Sequence, residues 1–178
     1  MLVVVTGPVA AGKSTVAAAL GARLREPGRP VAVLDLDDVV ASVGGFALAD
    51  PALLEQARRA FAGLVRSWLD LGADVVAHGP FLGPEEVEAL EGAIPSGEVV
   101  RRVLVTTTVE VALARLATSP DRPIAGHPEL VRALYERYER LAPAMAPSDW
   151  TFDTGVLGVD DIVGVLAPVL GAVGPFAP

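Results

Sequence analysis

Residues 7–14 have the sequence Gly7-Pro8-Val9-Ala10-Ala11-Gly12-Lys13-Ser14, which matches the phosphate-binding pattern G-x-x-x-x-G-K-[ST]. An apolar run at 2–5 precedes the pattern, and apolar residues at helical spacing follow it, so a strand, a glycine-rich loop and a helix succeed one another. Lys13 is the only lysine among the 14 basic residues. The flanking strand and helix argue against the alternative of a turn that matches by chance. The pattern therefore predicts a nucleoside triphosphate site.

The predicted contacts to the triphosphate come from the loop and the first turn of the helix: Gly7, Ala10, Ala11, Gly12, Lys13, Ser14 and Thr15. Gly7 allows a backbone conformation that is closed to residues with a Cβ atom. The loop amides and the helix N-terminus attract phosphate, and the ammonium of Lys13 fits between two phosphates. The hydroxyl of Ser14 is predicted to bind Mg²⁺.

The composition is typical of one globular domain. A chain of 178 residues has room for one core, and we expect a domain over 1–173 and a loose tail at 174–178. The apolar tract at 162–173 is shorter than the ~20 residues that span a bilayer and contains Pro168, so we expect a docked helix and no membrane partner. The absence of cysteine excludes disulfides, thiolate catalysis and cysteine-ligated zinc.

The net charge and the N-terminal sequence indicate which partners and which location to expect. The net charge is −8 and the arginines are dispersed, which argues against a nucleic-acid partner. No charged segment precedes the first apolar run to form a signal peptide, so we expect a cytoplasmic protein. The sequence leaves the oligomeric state open.

Five apolar runs alternate with helical patterns, which predicts an α/β fold whose parallel sheet has helices on both faces. The runs lie at 2–5, 31–34, 73–77, 103–105 and 150–152. Helices are predicted at 13–25, 51–71, 84–92, 109–118, 127–141 and 159–171. Because ligands of such sheets bind at the carboxyl ends of the strands, the residues that follow each run are functional candidates.

Two carboxylates follow the second run. The strand is expected to end in an extended segment, whose two-residue period places Asp35 and Asp37 on the same side. One carboxylate can then hold Mg²⁺ through water while the other orients and deprotonates an acceptor hydroxyl. The alternative is that Asp37 or Asp38 caps a following helix.

Residues 7–15 and the segment Leu34-Asp35-Leu36-Asp37-Asp38 together resemble the small-molecule kinases of the P-loop superfamily, such as shikimate kinase, adenylylsulfate kinase and chloramphenicol phosphotransferase. The resemblance continues through Ser119-Pro120-Asp121-Arg122-Pro123, which is similar to the lid of shikimate kinase, and reaches 152–154. It implies a three-layer α/β/α fold with a five-stranded parallel sheet in the order 2-3-1-4-5. It also implies a short lid at about 118–127, a base or acceptor ligand at Asp37, and a position near Mg²⁺ for Asp35.

The same resemblance assigns roles to arginines near the lid. Arg122 is expected to arrive with the closing lid and to stabilise charge on the transferred phosphoryl group. Arg115 matches the position from which relatives place an arginine against the adenine ring. A solvated surface position is the alternative for both residues.

Candidates for acceptor binding are more loosely placed. Arg58 lies where shikimate kinase presents an arginine to its substrate's carboxylate, although a surface salt bridge with Arg58 or Arg59 is an equal alternative. His78 follows the third run and can hydrogen-bond the acceptor or only the backbone. Its sequence context departs from the glycine run of shikimate kinase, which counts against shikimate as the substrate. Arg137 is favoured among the arginines of the helix at 127–141.

The leading hypothesis is an enzyme that uses ATP and Mg²⁺ to phosphorylate a hydroxyl of a small molecule, such as an antibiotic or another metabolite. A nucleoside monophosphate kinase is a second enzymatic reading, but the chain lacks a convincing basic cluster for a second phosphate. A regulatory P-loop ATPase is the alternative from another class. A guanine-binding Asn-Lys-x-Asp segment is excluded because Lys13 is the only lysine.

Overall fold

The computed structural model describes residues 1–25, 28–44, 50–81, 83–122, 124–145 and 147–172. The strands in these ranges are β1 (Leu2–Thr6), β2 (Val31–Asp35), β3 (Asp74–His78), β4 (Val100–Thr106) and β5 (Trp150–Asp153). The helices are α1 (Lys13–Arg25), α2 (Leu36–Ser42), α3 (Pro51–Asp70), α4 (Pro84–Glu91), α5 (Val109–Ala117), α6 (Pro128–Leu141) and α7 (Val159–Gly171). A short 3₁₀ turn at Ala142–Ala144 follows α6.

The five strands form one parallel sheet in the order β2-β3-β1-β4-β5, which confirms the predicted fold class and strand order. Every residue of the central strand β1 is buried. Val3 and Val5 pack on the side of α1 and α7, whereas Leu2 and Val4 pack on the side of α3 and α4. Burial on both faces explains why β1 is a continuous apolar run rather than an alternating one.

A smaller core joins the phosphate-binding loop to the lid region. Ala112 and Leu116 of α5 pack against Val131 and Tyr135 of α6, with the loop residues Val9 and Ala10 alongside. The segment at 118–127 connects α5 to α6 through a series of turns, so α5 and α6 bracket the predicted lid. Its role as a lid stays a prediction, and Pro123 lies outside the described residues.

The structure corrects one element of the sequence analysis. Asp35 ends β2 and its side chain accepts a hydrogen bond from the backbone N–H of Asp37 (2.9 Å), so Asp35 is the N-cap of α2. The segment is therefore not extended through Asp37, and the capping residue is neither Asp37 nor Asp38. The reason is that capping by Asp35 and burial of Leu36 together stabilise a helix that is too short to show periodicity in the sequence.

The predicted tail at 174–178 lies outside the described residues, so the predicted domain bounds stay a prediction. Within the described ranges, no helix combines the length and the apolar character needed to cross a membrane.

Candidate active site

The phosphate-binding loop connects β1 to α1 and has the backbone that the glycine pattern requires. Gly7 has a φ of +150°, and a Cβ atom at this position would collide with the carbonyl oxygen of Val105 on the neighbouring strand β4. Gly7 thus allows both the turn and the close approach of the loop to the sheet. Ala10 has a φ of 56°, a left-handed conformation that residues with a Cβ atom seldom adopt.

Side chains from outside the loop hold this conformation. Three consecutive loop carbonyls accept hydrogen bonds: that of Val9 from the Tyr135 hydroxyl (3.0 Å), that of Ala10 from the Arg115 guanidinium (3.0 Å) and that of Ala11 from the Thr154 hydroxyl (2.8 Å). The donors belong to α6, to α5 and to the residue after β5, so three separate parts of the chain stabilise the loop through its carbonyls. These hydrogen bonds hold the loop in the conformation that the glycine pattern requires.

We expect Tyr135→Phe to weaken nucleotide binding by about fivefold and to destabilise the fold slightly, because one neutral hydrogen bond contributes about 1 kcal/mol. The variant removes only the hydroxyl that binds Val9. Calorimetric titration with AMPPNP and the melting temperature measure the two effects. Tyr138→Phe is the matched control, since Tyr138 lies one turn later on α6 and lines a different cavity. Equal effects of both variants would contradict the role given to Tyr135.

A cavity of about 430 Å³ opens at the carboxyl end of the sheet beside the phosphate-binding loop. Its polar side combines sequence-predicted residues from six different parts of the fold: Gly12, Lys13, Ser14, Thr15, Asp37, His78, Arg115 and Arg122. Its apolar side is formed by Leu116, Leu157, Val159 and Ile162. The cavity thus has a charged end suited to phosphates and an apolar end suited to a flat ring.

Lys13 lies at the charged end, where its amine donates to the carbonyl of Pro8 (2.9 Å). The pKa of Lys13 is lowered from 10.5 to about 8, mainly because burial disfavours the charged amine. The carboxylates of Asp37 and Asp35 oppose this shift, and the guanidinium of Arg122 adds to it. Asp35, Asp37 and Arg122 are therefore all close enough to Lys13 to influence its charge.

We expect the rate of acetylation of Lys13 to rise with pH around a midpoint near 8 rather than 10.5, since the neutral amine is the reactive form. Mass spectrometry assigns this label without ambiguity because the chain has one lysine. Addition of Mg²⁺ and AMPPNP should suppress the reaction. Asp37→Asn should move the midpoint to lower pH, since Asp37 raises the pKa of Lys13. A midpoint near 10.5 would contradict burial of the amine.

Asp37 lines the cavity, whereas Asp35 caps α2 and faces His78. Burial raises the pKa of Asp37, and the neighbouring Asp35 raises it further. Burial also raises the pKa of Asp35, while its hydrogen bond from the Asp37 amide opposes the shift. A carboxylate with a raised pKa is a stronger base once it is ionised, so Asp37 has both the position and the basicity for proton transfer.

His78 ends β3, directly beside Asp35 in the register of the sheet. Its side chain is buried, and Nδ1 lies 3.5 Å from Oδ1 of Asp35. Burial and the charge of Lys13 lower the pKa of His78, so the imidazole is neutral at pH 7. His78 therefore enters the cavity as a hydrogen-bonding group rather than as a cation.

The donor set at the charged end fits Mg²⁺. In nucleotide sites this ion takes one or two protein ligands and completes its shell with phosphate oxygens and water. The exposed hydroxyl of Ser14 and the carboxylates of Asp35 and Asp37 are hard oxygen donors of the right kind. Among the described residues, no group of three His, Cys, Asp or Glu side chains is placed to hold a metal ion.

Arg58 and Arg137, the predicted acceptor arginines, meet at a residue that the sequence analysis did not identify. Oε1 of Glu86 accepts a hydrogen bond from Arg58 (2.9 Å) and another from Arg137 (3.1 Å). Glu86 was missed because an acidic residue in the first turn of a helix is ordinarily a solvated one. Thr154 and Tyr135 were missed because contacts to loop carbonyls leave no pattern in the sequence.

Arg115 donates to Ala10 and also to Thr154, through its side-chain hydroxyl (3.0 Å) and its carbonyl (2.7 Å). Arg115 therefore lines the cavity and helps to stabilise the loop. Its predicted position against the adenine ring stays a prediction.

A family model described as an AAA domain matches residues 2–141. The chain belongs to this AAA domain family. The match covers the phosphate-binding loop, the Asp35–Asp37 segment, the segment at 118–127 and α6. A search of curated proteins finds no match to the chain.

Solved structures with the same fold include several kinases. The shikimate kinase of Acinetobacter baumannii in complex with shikimate is 22% identical, with a TM-score of 0.64 and coverage of 97% of this chain and 94% of that one. A sugar kinase from a Janibacter species is 18% identical, with a TM-score of 0.67 and coverage of 98% and 95%. The APS kinase of Mycobacterium tuberculosis in complex with AMPPNP and APS is 18% identical, with a TM-score of 0.68 and coverage of 95% and 96%. The AAA domain of this chain therefore has the P-loop kinase fold.

Proposed function

We propose that this protein is an ATP- and Mg²⁺-dependent kinase that transfers the γ-phosphoryl group to a hydroxyl of a small molecule. One observation carries the proposal: Asp37, a carboxylate with a raised pKa, lines the same cavity as Lys13 and the phosphate-binding loop. A nucleotide-binding site needs only the loop, whereas a basic carboxylate beside it has a use in activating an acceptor.

ATP would bind with its phosphates at the loop and its base at the apolar end of the cavity. The loop amides and the N-terminus of α1 hold the β-phosphate, and Lys13 stabilises charge on the β- and γ-phosphates. Leu157, Val159 and Ile162 offer the base an apolar wall. Arg122 would complete the charge stabilisation when the segment at 118–127 closes as a lid.

The transfer step needs one base. Asp37 accepts the proton of the acceptor hydroxyl, and the oxygen of that hydroxyl forms a bond to the γ-phosphorus. The bond between the γ-phosphorus and the bridging oxygen breaks at the same time, and ADP leaves. His78 orients the acceptor by hydrogen bonding. Bound Mg²⁺ would neutralise the β- and γ-phosphate oxygens, held by Ser14 directly and by Asp35 through water.

The solved relatives support a small acceptor. Their names refer to shikimate, a sugar and APS, which are all small molecules. For this chain we propose an antibiotic or another hydroxylated metabolite as the acceptor and ATP as the phosphoryl donor.

A screen of hydroxylated metabolites for coupled ADP release tests the proposal. We expect one chemical group of acceptors to raise ADP release well above the rate in water, with phosphate incorporated into the acceptor by mass spectrometry. Lys13→Ala serves as the background control. If no small molecule is phosphorylated or stimulates turnover and a protein partner does, the chain is a regulatory ATPase and not a small-molecule kinase.

A further inference from the structure

A second cavity lies on the α4 side of the sheet. It has a volume of about 490 Å³ and shares no described lining residue with the cavity beside the phosphate-binding loop. Its floor is formed by β1 and β4, one wall by α4 and the chain on either side of that helix, and the opposite wall by the end of α6 and the chain that follows it. The second cavity is therefore separate from the nucleotide site.

The floor of the second cavity is less covered than the opposite face of the sheet. β4 is an interior strand, since it lies between β1 and β5. On the side of α1 and α7, its residues Val103 and Val105 are 0% exposed. On the cavity side, Val100 and Leu104 are partly exposed. Because both faces of a parallel sheet are ordinarily covered, this apolar floor has room for a further group.

The lining of the second cavity is chiefly apolar. Glu91 and Arg102 are the charged residues among the described lining, and they form an ion pair with each other. The volume lies within the range of about 300–1,000 Å³ that is typical of small-molecule sites, and apolar cavities accept apolar molecules more readily than water. The other apolar members of the described lining are Val4, Phe81, Val87, Leu90, Ile94, Ala142, Ala144, Met145 and Pro147.

Among the described lining residues, one side-chain hydroxyl has no partner. The hydroxyl of Thr6 donates to the carbonyl of Phe81 (3.1 Å), and that of Ser148 is hydrogen-bonded to the hydroxyl of Thr151 (3.0 Å). The hydroxyl of Tyr138 makes no hydrogen bond to any residue that the structure describes. Burial raises the pKa of Tyr138, so this hydroxyl stays protonated at neutral pH and can donate.

We propose that the second cavity is a ligand site for a small aromatic or alicyclic molecule that carries one oxygen able to accept a hydrogen bond. The apolar lining binds the ring, and Tyr138 donates to the oxygen. The proposal goes beyond the kinase function and does not depend on it, because Lys13 and Asp37 line the other cavity. The ligand of the second cavity is distinct from the phosphoryl acceptor, which must reach Asp37.

The two methionines of the chain provide a direct test, because Met145 lines the second cavity whereas Met1 packs against the core on the opposite face of the sheet. NMR spectra of protein labelled at the methionine methyl groups therefore report on the cavity and on a reference position in one sample. The probes are acetophenone and α-methylstyrene, which have nearly the same shape, although only acetophenone has an oxygen.

With the nucleotide site saturated by Mg²⁺ and AMPPNP, we expect both probes to shift the Met145 signal and to leave the Met1 signal in place. A probe of this size should bind with a Kd of about 1 mM or lower. Tyr138→Phe keeps the ring and removes the hydroxyl. This variant should weaken acetophenone binding about fivefold and leave α-methylstyrene binding unchanged.

Val87→Trp should fill the cavity and abolish the binding of both probes. Leu64→Trp is the matched control, since Leu64 is an exposed apolar residue of α3 that does not line the cavity. Circular dichroism establishes whether the variants are folded. If Val87→Trp is not, Ala144→Trp replaces it, because Ala144 is an exposed residue of the same lining.

The proposal is overturned if neither probe shifts the Met145 signal of wild-type protein, or if the shifts are the same in a folded cavity-filling variant. Unchanged acetophenone affinity in Tyr138→Phe would remove the hydrogen bond and with it the stated ligand class. A Met145 signal that moves with protein concentration alone, together with a doubled mass in sedimentation, would show that a second copy of the chain covers this face instead of a small molecule.

Discussion

We expect Lys13→Ala to lower phosphoryl transfer by at least about 10²–10³-fold while the fold is retained, because the variant removes a cation that stabilises charge developing on the transferred phosphoryl group. Coupled ADP release in the presence of a saturating acceptor measures the loss. The fold should tolerate the change, since burial of the Lys13 amine lowers its pKa and so opposes the charged form in the folded protein.

Lys13→Arg is the informative control. It keeps a positive charge, but the planar guanidinium does not fit between two phosphates as a compact ammonium does. We expect this variant to be folded and nearly as inactive as Lys13→Ala. Near-normal turnover by Lys13→Ala, with circular dichroism and melting temperature unchanged, would show that the loop is not the catalytic site.

We expect Asp37→Asn to lower kcat by about 10²–10⁴-fold with little change in nucleotide affinity, because the amide cannot accept the proton of the acceptor hydroxyl. The cavity position and raised pKa of Asp37 motivate the prediction. Steady-state kinetics with respect to acceptor and ATP separate the two effects. Asp38→Asn is the matched control, since Asp38 is the neighbouring carboxylate in the first turn of α2 but does not line the cavity, and this variant should keep most of the activity.

Asp35→Asn should give a different result from Asp37→Asn. Asparagine caps helices about as well as aspartate, so α2 should remain intact and the loss of charge should appear as a higher Mg²⁺ requirement. A titration of turnover against Mg²⁺ compares the two variants. Small and equal effects from both would mean that neither aspartate takes part in phosphoryl transfer.

Much of the fold could be predicted from the sequence because its signals are local. The five apolar runs fall within the five strands or overlap them, and β4 alone is clearly longer than predicted, since Arg101 and Arg102 interrupt its apolar pattern. The order of the strands came from the resemblance to P-loop kinases and was confirmed. The short helix α2 could not be predicted, because seven residues are too few to show a helical period.

The sequence by itself determined the nucleotide-binding loop, the α/β class and the residues that follow the strands. These properties depend on glycine conformation, apolar periodicity and the geometry of parallel sheets, which all act over short stretches of chain. Lys13 and Asp37 were therefore identifiable from local sequence patterns, even though the backbone at Asp37 was predicted wrongly.

Only the tertiary structure decided what surrounds those residues. Tyr135 and Val9 are 126 positions apart, and Glu86 is 28 positions from Arg58 and 51 from Arg137. Contacts over such distances depend on how helices pack on the sheet, and a hydroxyl or a carboxylate has the same appearance in a sequence whether it is solvated or buried against a partner. The hydrogen bonds that hold the loop and the ion pairs of Glu86 with Arg58 and Arg137 are thus properties of the fold and not of any motif.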